Sequence, residues 1–176
     1  MADKKAIEYD LPYLEKIKGL IREIALSYDL NPAIVAAVIS RESGGGRLLG
    51  KWGSPKDTGD KGHGRGLMQA DDRYWKGLLN LDAKGGEEDA WRYPAFNIAF
   101  GCWLLSNNFE YFKSQNLEKS VAAPAAIAAY NCGRTNVNKA LAAGKDIDAY
   151  TTGHDYSRDV IERARWLTNH GWFSSE

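Results

Sequence analysis

The sequence lacks the features that define several large classes of protein. It has 176 residues, and its 23 Lys and Arg balance its 23 Asp and Glu, so the formal net charge is +0. Without an excess of either sign, no long-range field draws the chain to nucleic acid or to an anionic membrane. The charged start MADKKAIEYD has no apolar run of the kind that a secretory signal needs, and no stretch approaches the roughly 20 apolar residues of a membrane span. We therefore expect a soluble protein that binds neither nucleic acid nor membrane, made without a leader or with its leader removed.

Cysteine is scarce, which argues against a disulfide scaffold. Cys102 and Cys132 are the two cysteines, and their spacing fits neither C-x-x-C nor a Cys/His zinc pattern. His63, His154 and His170 are not spaced as metal ligands either, so no metal site is expected. Two buried free thiols are favoured, because cysteine often packs as a small hydrophobe. A disulfide remains the alternative, and in the chain-entropy model it would contribute about 3–4 kcal/mol.

The composition that is present suits one globular domain. Hydrophobic residues make up 44% of the chain and aromatic residues 11%, which is enough for an ordinary core at this length. No internal repeat or low-complexity linker divides the sequence. We expect a monomer with one domain over residues 1–176, in which residues 1–10 form a flexible extension.

Apolar spacings of three and four residues predict that most of the chain is helical. Helices are expected from Leu14 to Tyr28, from Asn31 as N-cap to Glu42, from Tyr74 to Leu81, from Pro94 through Phe112, from Pro124 to Asn131, from Asn136 to Ala142, and from Asp155 as N-cap onward. Between Arg47 and Asp72 the glycine-rich sequence predicts tight turns and a small β-hairpin. The expected fold class is α+β and predominantly helical, with a buried central helix and a small irregular antiparallel sheet or hairpin.

Glu42 is the first candidate for chemistry. It follows Val38 by four residues and Ile39 by three, so it shares their inward helix face, and Gly44 to Gly46 end the helix directly after it. A carboxylate that simply points to water is the competing interpretation. Partial burial would raise the pKa of Glu42 from ~4.3 towards ~6, where a carboxyl group is about half protonated at pH 6 and can act as a general acid.

Asp60 and Asp71 are the second and third candidates. They bracket the segment GHGRGLMQ, and nine of the 18 glycines lie between Gly44 and Gly66. Each aspartate also has a structural explanation, since Asp favours turns and N-caps. With Glu42, however, they could flank a sugar as the acid and base of an inverting glycosidase, which lie roughly 6.5–9.5 Å apart.

Five motifs resemble those of goose-type lysozymes, in the order of that family. They are ISRESGGG at residues 39–46, WG at 52–53, DKGHGRGLMQAD at 60–71, AYNCG at 129–133 and TTGHDYSRDVIERA at 151–164. The segment NIAFGCWLL at 97–105 is similar to a helix of the neighbouring lytic transglycosylases. The resemblance extends from about Leu14 to His170 and implies a lysozyme-like fold that cleaves β-1,4 links between N-acetylated sugars.

The resemblance also implies roles for individual residues. Glu42 takes the place of the general acid, and Asp60 and Asp71 take the places of the aspartates that position or activate the attacking water. Further substrate-binding positions are expected in the cleft, with His63 as a loop residue that is not catalytic: Tyr130, Asn131, Tyr156, Gln69, Met68, His63 and Trp75. Trp52 and Trp75 could stack on sugars or cover the core.

The chain departs from the family pattern in three respects. It is several residues longer between Glu42 and Asp60, with the excess around Ser54 to Thr58, so the placement of Asp60 depends on that loop. The disulfide cysteines of the secreted bird enzymes have no counterpart. Trp75 stands where some members have histidine.

The predicted function is that of a muramidase, which hydrolyses the bond between N-acetylmuramic acid and N-acetylglucosamine without metal or organic cofactor. A lytic transglycosylase would use the sugar's own hydroxyl as nucleophile and need only the glutamate. A chitinase would share every residue named above. From another class, a non-catalytic glycan-binding protein could keep the fold. Action on the cell wall predicts an extracellular or periplasmic place of action.

Overall fold

The computed structural model describes residues 4–51, 53–77, 79 and 90–173, and most of these residues are helical. The helices are α1 (Lys4–Leu14), α2 (Lys18–Ser27), α3 (Pro32–Ser43), α4 (Asp72–Trp75), α5 (Pro94–Lys113), α6 (Lys119–Cys132), α7 (Arg134–Ala142) and α8 (Tyr156–Asn169). The strands are β1 (Thr58–Gly59), β2 (Gly64–Arg65) and β3 (Ala70–Asp71), which pair antiparallel in the order β1-β2-β3. The predicted α+β class, mainly helical with a small antiparallel sheet, is confirmed.

The chain divides into two compact units. One comprises residues 3–102 and the other residues 103–176. The boundary falls inside α5, whose residues Ile98, Cys102, Leu105 and Phe112 are fully buried, as expected of a helix that packs on several sides. The existence of one domain over residues 1–176 stays a prediction.

The first unit starts with a helix, and the flexibility expected of residues 1–10 stays a prediction. Residues 4–10 belong to α1, where Ile7 and Asp10 are buried. A short 3-10 helix, Glu15–Ile17, then separates α1 from α2, so the predicted helix from Leu14 to Tyr28 is interrupted near its start. Leu14 and Ile21 of its apolar stripe are nevertheless fully buried. Within α1, Ile7 and Leu14 are buried, and such tertiary burial is the main source of helix stability in proteins.

Helix α3 begins and ends as its sequence predicts. The Asn31 side chain accepts a hydrogen bond from the Ala33 amide at 2.8 Å, and Pro32 occupies the first helical position. The helix ends at Ser43, and Gly44 follows with a φ of 59°, a left-handed conformation that glycine adopts without a Cβ clash. Almost every side chain between these ends is buried, so α3 is the central helix of its unit.

The loop that is longer than the family pattern leads directly into β1. The Thr58 amide and hydroxyl both bond to the Pro55 carbonyl oxygen, and Thr58 is paired with Arg65 of β2. The Gly66 amide donates to the Asp57 carbonyl oxygen at 2.9 Å. The additional residues therefore join the sheet through their C-terminal end, and Asp60 follows β1 immediately.

One predicted helix start in the second unit needs correction, and another is confirmed in its position. Helix α6 begins at Lys119 and contains Pro124 in its interior, although we expected Pro124 to open it. One proline removes a single hydrogen bond near the N-terminus, while burial of Ala125, Ala126 and Ile127 favours the continuous helix. Asp155 does occupy the N-cap position of α8, but its side chain makes no capping hydrogen bond.

The hydrogen bonds at the N-terminus of α8 go instead to a residue of the 3-10 helix Ile147–Tyr150. The buried carboxylate of Asp148 accepts hydrogen bonds from the Ser157 amide at 2.9 Å and the Ser157 hydroxyl at 2.8 Å. These bonds satisfy amide groups that have no partner within the helix. The tertiary fold thus supplies the cap that the local sequence does not.

Both cysteines are free thiols, which agrees with the favoured prediction for their redox state. Cys102 is buried, and burial raises its pKa to about 12. Cys132 is only partly buried, and desolvation raises its pKa to about 11. In the described part of the chain, no helix is both long and apolar enough to cross a membrane.

Candidate active site

Glu42 lies in the last turn of α3 and is partly buried. The next residue fixes this helix end, because the Ser43 hydroxyl donates to the Leu67 carbonyl oxygen at 2.7 Å and accepts from the Gly46 amide at 3.1 Å. Leu67 belongs to the turn between β2 and β3. The end of the glutamate's helix is therefore attached to the turn that leads to Asp71. The raised pKa of Glu42 stays a prediction.

A buried aspartate of α1 also forms a hydrogen bond to helix α3. Asp10 of α1 accepts a hydrogen bond from the Ser40 hydroxyl at 2.8 Å, and its other oxygen accepts from Arg47 at 2.7 Å and 3.1 Å. Three segments thus converge on one carboxylate. Because a buried charge is tolerated only when it is paired and hydrogen bonded, this contact defines the path of the chain on both sides of Glu42.

The Gln69 side chain packs against one glycine of β1 and one of β2, so a larger residue at either position would displace it. A Cβ at Gly59 or Gly64 would lie 2.2 Å or 2.1 Å from the Gln69 side chain, which crosses this strand pair and donates to the Gly66 carbonyl oxygen at 2.7 Å. Asn97 of α5 accepts from the Met68 amide at 2.8 Å and donates to the Arg65 carbonyl oxygen at 3.0 Å. These contacts explain the glycine spacing of GHGRGLMQ as a packing requirement.

Substitution of Gly66 by Ala should destabilise the protein by about 2–5 kcal/mol. Gly66 has a φ of 66°, and an added Cβ would lie 2.4 Å from Asn97 Nδ2 and 2.9 Å from the Trp91 carbonyl oxygen. Left-handed strain costs roughly 1–2 kcal/mol and overpacking roughly 1–3 kcal/mol. Urea unfolding of the variant measures the sum.

Two matched glycines separate these contributions. Gly144 has a φ of 61° with nothing within 4 Å, so Gly144→Ala should show the strain alone. Gly19 lies inside α2 with nothing within 4 Å, and Gly19→Ala should stabilise the protein by about 0.5–1 kcal/mol. Equal stability of all three variants would contradict the packing account.

Asp60 and Asp71 are connected through Arg73. Arg73 Nη2 lies 3.0 Å from Asp60 Oδ2 and 2.5 Å from Asp71 Oδ2, and Arg73 Nε lies 2.9 Å from Asp71 Oδ1. Asp71 is also the N-cap of α4, since its Oδ1 accepts from the Arg73 amide at 2.9 Å. The predicted capping role and the predicted catalytic role of Asp71 are therefore compatible.

The charges around Asp71 favour its ionised form. The side-chain hydrogen bond from Arg73 holds the pKa of Asp71 below its usual value, against the opposing effect of burial. The neighbouring Asp72 is engaged separately by His63, whose Nδ1 lies 3.0 Å from Oδ1, and by Arg65. Burial opposes ionisation of Asp72, but the hydrogen bonds from His63 and Arg65 still hold its pKa below the usual value.

The chain as a whole is similar to known proteins. The family model of lysozyme g matches residues 1–171. Lysozyme g of the carp Cyprinus carpio is 34% identical over 97% of this chain and 83% of its own length. Lysozyme g of the ostrich Struthio camelus is 33% identical over 97% of this chain and 75% of its own length, and that of Gallus gallus is 32% identical over 97% and 72%. This chain belongs to the lysozyme g family.

As a member of the lysozyme g family, the chain is a glycoside hydrolase with muramidase activity and a peptidoglycan or oligosaccharide substrate. One further relative has a different architecture. The "Glycine, glutamate and proline-rich protein" of Lottia gigantea is 34% identical over 97% of this chain, but the match covers 39% of that protein. A lysozyme g region thus also occurs within a longer polypeptide.

The other residues expected to bind substrate in the first unit differ in their exposure. His63 is about half exposed beside Asp72, and Gln69 is partly exposed across the sheet. Met68 is 0% exposed, and its side chain packs where a Cβ on Gly101 would otherwise lie. Trp75 is partly buried and meets Phe100 edge to face at 5.7 Å, which places it on a hydrophobic cluster of this unit. Trp52 lies outside the described residues.

Three expected substrate-binding residues belong to the second unit. Tyr130 and Asn131 lie in the last turn of α6 and are partly exposed, and Asn131 Oδ1 accepts from the Thr152 amide at 2.8 Å. Tyr156 opens α8 and is 1% exposed. Asn131 therefore connects two segments of its unit while its side-chain NH2 group remains a potential donor.

Sequence reasoning missed three residues that contact the candidate acids or the segments that carry them. Arg73, Ser43 and Asn97 were not among the candidates, although each holds an acid or the segment that carries it. For Arg73 a local signal was present, because a residue two positions after an aspartate N-cap donates its amide to that aspartate. Ser43 and Asn97 act on residues 24 and 29 positions away, which no local pattern reveals.

Proposed function

We propose that this protein hydrolyses the β-1,4 bond between N-acetylmuramic acid and N-acetylglucosamine with inversion of the anomeric configuration. Glu42 donates its proton to the glycosidic oxygen as the bond to the anomeric carbon breaks. A water molecule held by Asp60 and Asp71 attacks that carbon from the opposite face and transfers a proton to a carboxylate. The products are two sugar chains, one of which carries a new reducing end.

The observation that carries this proposal is the connection of Asp60 and Asp71 by one arginine in the unit that also contains Glu42. Inversion needs a carboxylate that is ionised when the acid is protonated. The lowered pKa of Asp71 supports an ionised Asp71 as the partner of a protonated Glu42. The attachment of Ser43 to Leu67 supports a fixed relation between the end of α3 and the sheet.

Substrate contacts form the second part of the proposal. Tyr130 and Asn131 bind the sugar next to the bond that is cut, since an amide can both donate to and accept from an acetamido group. Gln69, His63 and Trp75 contribute further contacts to the substrate. Met68 and Tyr156 are fully buried, so their contribution is to hold the backbone of neighbouring cleft residues.

The alternatives are distinguished by what each mechanism needs. A lytic transglycosylase forms an anhydro sugar with the substrate's own hydroxyl and has no use for two water-binding aspartates. A chitinase would use the same acids on a polymer without muramic acid. A glycan-binding protein without activity would not need Arg73 to pair with both aspartates. We propose a monomeric enzyme that acts on the cell wall, outside the cytoplasm.

Product analysis tests the proposal most directly. Digestion of defined peptidoglycan should give reducing muropeptides by mass spectrometry, and proton NMR of the early products should show the α-anomer before mutarotation. Chitin oligomers of equal length serve as the matched substrate and should turn over more slowly. Anhydro-muropeptides as the main product, or the β-anomer as the first product, would contradict inverting hydrolysis.

A further inference from the structure

Arg73 is the contact that relates the two proposed water-binding carboxylates to each other. Its Nε and Nη2 engage both oxygens of Asp71, and the same Nη2 reaches Asp60 Oδ2 at 3.0 Å. Among the described residues, no other cation pairs with either carboxylate. Arg65 and His63, the nearest alternatives, are engaged by Asp72.

Asp60 depends on this contact because little else holds its side chain. It follows β1 in a tight 3-10 turn with a φ of 43°, and its side chain is 61% exposed. Asp71, by contrast, is 27% exposed and is fixed by its capping bond. An exposed carboxylate without a partner samples several rotamers, and ordering it has an entropic cost. Because Arg73 is bound to Asp71, whose position is fixed, its contact with Asp60 restricts the Asp60 side chain as well.

The contact also leaves a defined acceptor for water. Both oxygens of Asp71 accept hydrogen bonds from Arg73, whereas in Asp60 only Oδ2 does so. Within the described part of the chain, no group donates to Asp60 Oδ1. A carboxylate oxygen has two lone pairs. Asp60 Oδ1 can therefore accept a hydrogen bond from the attacking water and a second one from a neighbouring water.

We infer that Arg73 is a positioning residue that holds Asp60 against Asp71 so that Asp60 Oδ1 receives the attacking water. This inference rests on the proposed roles of Asp60 and Asp71. Arg73 itself touches neither the water nor the sugar. Its planar guanidinium offers several donors in a fixed arrangement, which suits two carboxylates at once, whereas an ammonium group supplies the charge without that geometry.

The charge of Arg73 has a second effect that can be measured. It holds the pKa of Asp71 low, while His63 adds a smaller effect in the same direction, and Asp60 and Asp72 are the neighbouring negative groups. The carboxylate must be ionised for the reaction. Loss of Arg73 should therefore raise the pKa of Asp71 and move the acid limb of the pH–rate profile to higher pH.

Arg73→Gln and Arg73→Lys test the inference, with kcat and KM measured on defined peptidoglycan oligomers from pH 3 to pH 8. Arg73→Gln should lower kcat by about 10²-fold, the typical effect of a misplaced reacting group, with KM nearly unchanged. Its acid limb should move to higher pH. Arg73→Lys should restore the acid limb more fully than kcat, because it returns the charge without the bidentate geometry.

Arg92→Gln is the matched control. Arg92 is also about half exposed and forms an ion pair with an aspartate at 3.1 Å, but its partner is Asp57. This variant should keep wild-type kcat and pH profile. Thermal unfolding should give similar midpoints for the Arg73 and Arg92 variants, since exposed ion pairs contribute only about 0–1 kcal/mol.

Several outcomes would overturn the inference. One is a kcat of Arg73→Gln within twofold of wild type, and another is a lower kcat without movement of the acid limb. A change in KM alone, or an equal loss of kcat in Arg92→Gln, would also contradict it. So would a loss of kcat that is accompanied by a lowered unfolding midpoint. Failure of the proposed function itself has a different signature, because Asp60→Asn and Asp71→Asn would then both retain wild-type activity.

Discussion

Glu42→Gln should lower the rate of peptidoglycan hydrolysis by about 10²–10⁴-fold, the range that a general acid contributes. Glutamine has nearly the same shape and keeps the hydrogen-bonding capacity, but it has no proton to give to the leaving oxygen. Glu42 occupies the last turn of α3 and is partly buried, so the helix itself should be unaffected. Turbidity loss of cell walls and release of reducing ends from defined oligomers both measure the effect.

The control for this experiment is Glu23→Gln. Glu23 is a helical glutamate of α2 with an exposed side chain, so its substitution removes the same charge at a distance from the proposed site. The control should hydrolyse walls at the wild-type rate. If Glu42→Gln did so as well while folding normally, Glu42 would not be the acid.

Asp60→Asn and Asp71→Asn should each reduce hydrolysis by about 10²–10³-fold, because asparagine can bind water but cannot accept its proton. Asparagine is also the substitution that best preserves the backbone. Asp60 has a φ of 43°, which asparagine tolerates, and Asp71 caps α4, which asparagine can also do. A loss of activity would therefore report the missing charge and not a distorted loop.

Asp57→Asn provides a matched comparison for the two aspartates. Asp57 has a φ of 63°, lies three residues before Asp60 and pairs with Arg92. Its substitution should leave the rate of hydrolysis within about twofold of wild type, since it touches neither Arg73 nor the proposed water. A loss in Asp57→Asn as large as that in Asp60→Asn would mean that the loop, and not the carboxylate, determines activity.

The placement of Glu42 could be predicted because the signals for it are local. Apolar residues four and three positions earlier define the helix face, Asn31 and Pro32 define where α3 starts, and Gly44 defines where it stops. Each of these effects acts over one helical turn, so the sequence contains all the interacting partners. The same locality explains why Asp71 could be recognised as an N-cap.

The predictions that failed concern elements whose stability depends on distant partners. Helix α6 continues through Pro124 because tertiary burial outweighs local preference. Asp155 occupies the predicted N-cap position of α8, but the side-chain hydrogen bond at that helix start comes from Asp148. Hydrophobic periodicity is read in windows of 11–18 residues, and these interactions cannot be predicted from such a window.

Local pattern was enough to establish the helical class, the helix that delivers Glu42 and the three acids worth testing. Only the folded chain determined how the aspartates are related, since β1, β2 and β3 have two residues each and their register has no periodic signal. That register, with Asn97 and Gln69 packed across the turn, brings Asp60 to Arg73. The physical reason is range: helix faces and caps arise from neighbouring residues, whereas the relation between Asp60 and Asp71 arises from contacts that the chain makes only once it has folded.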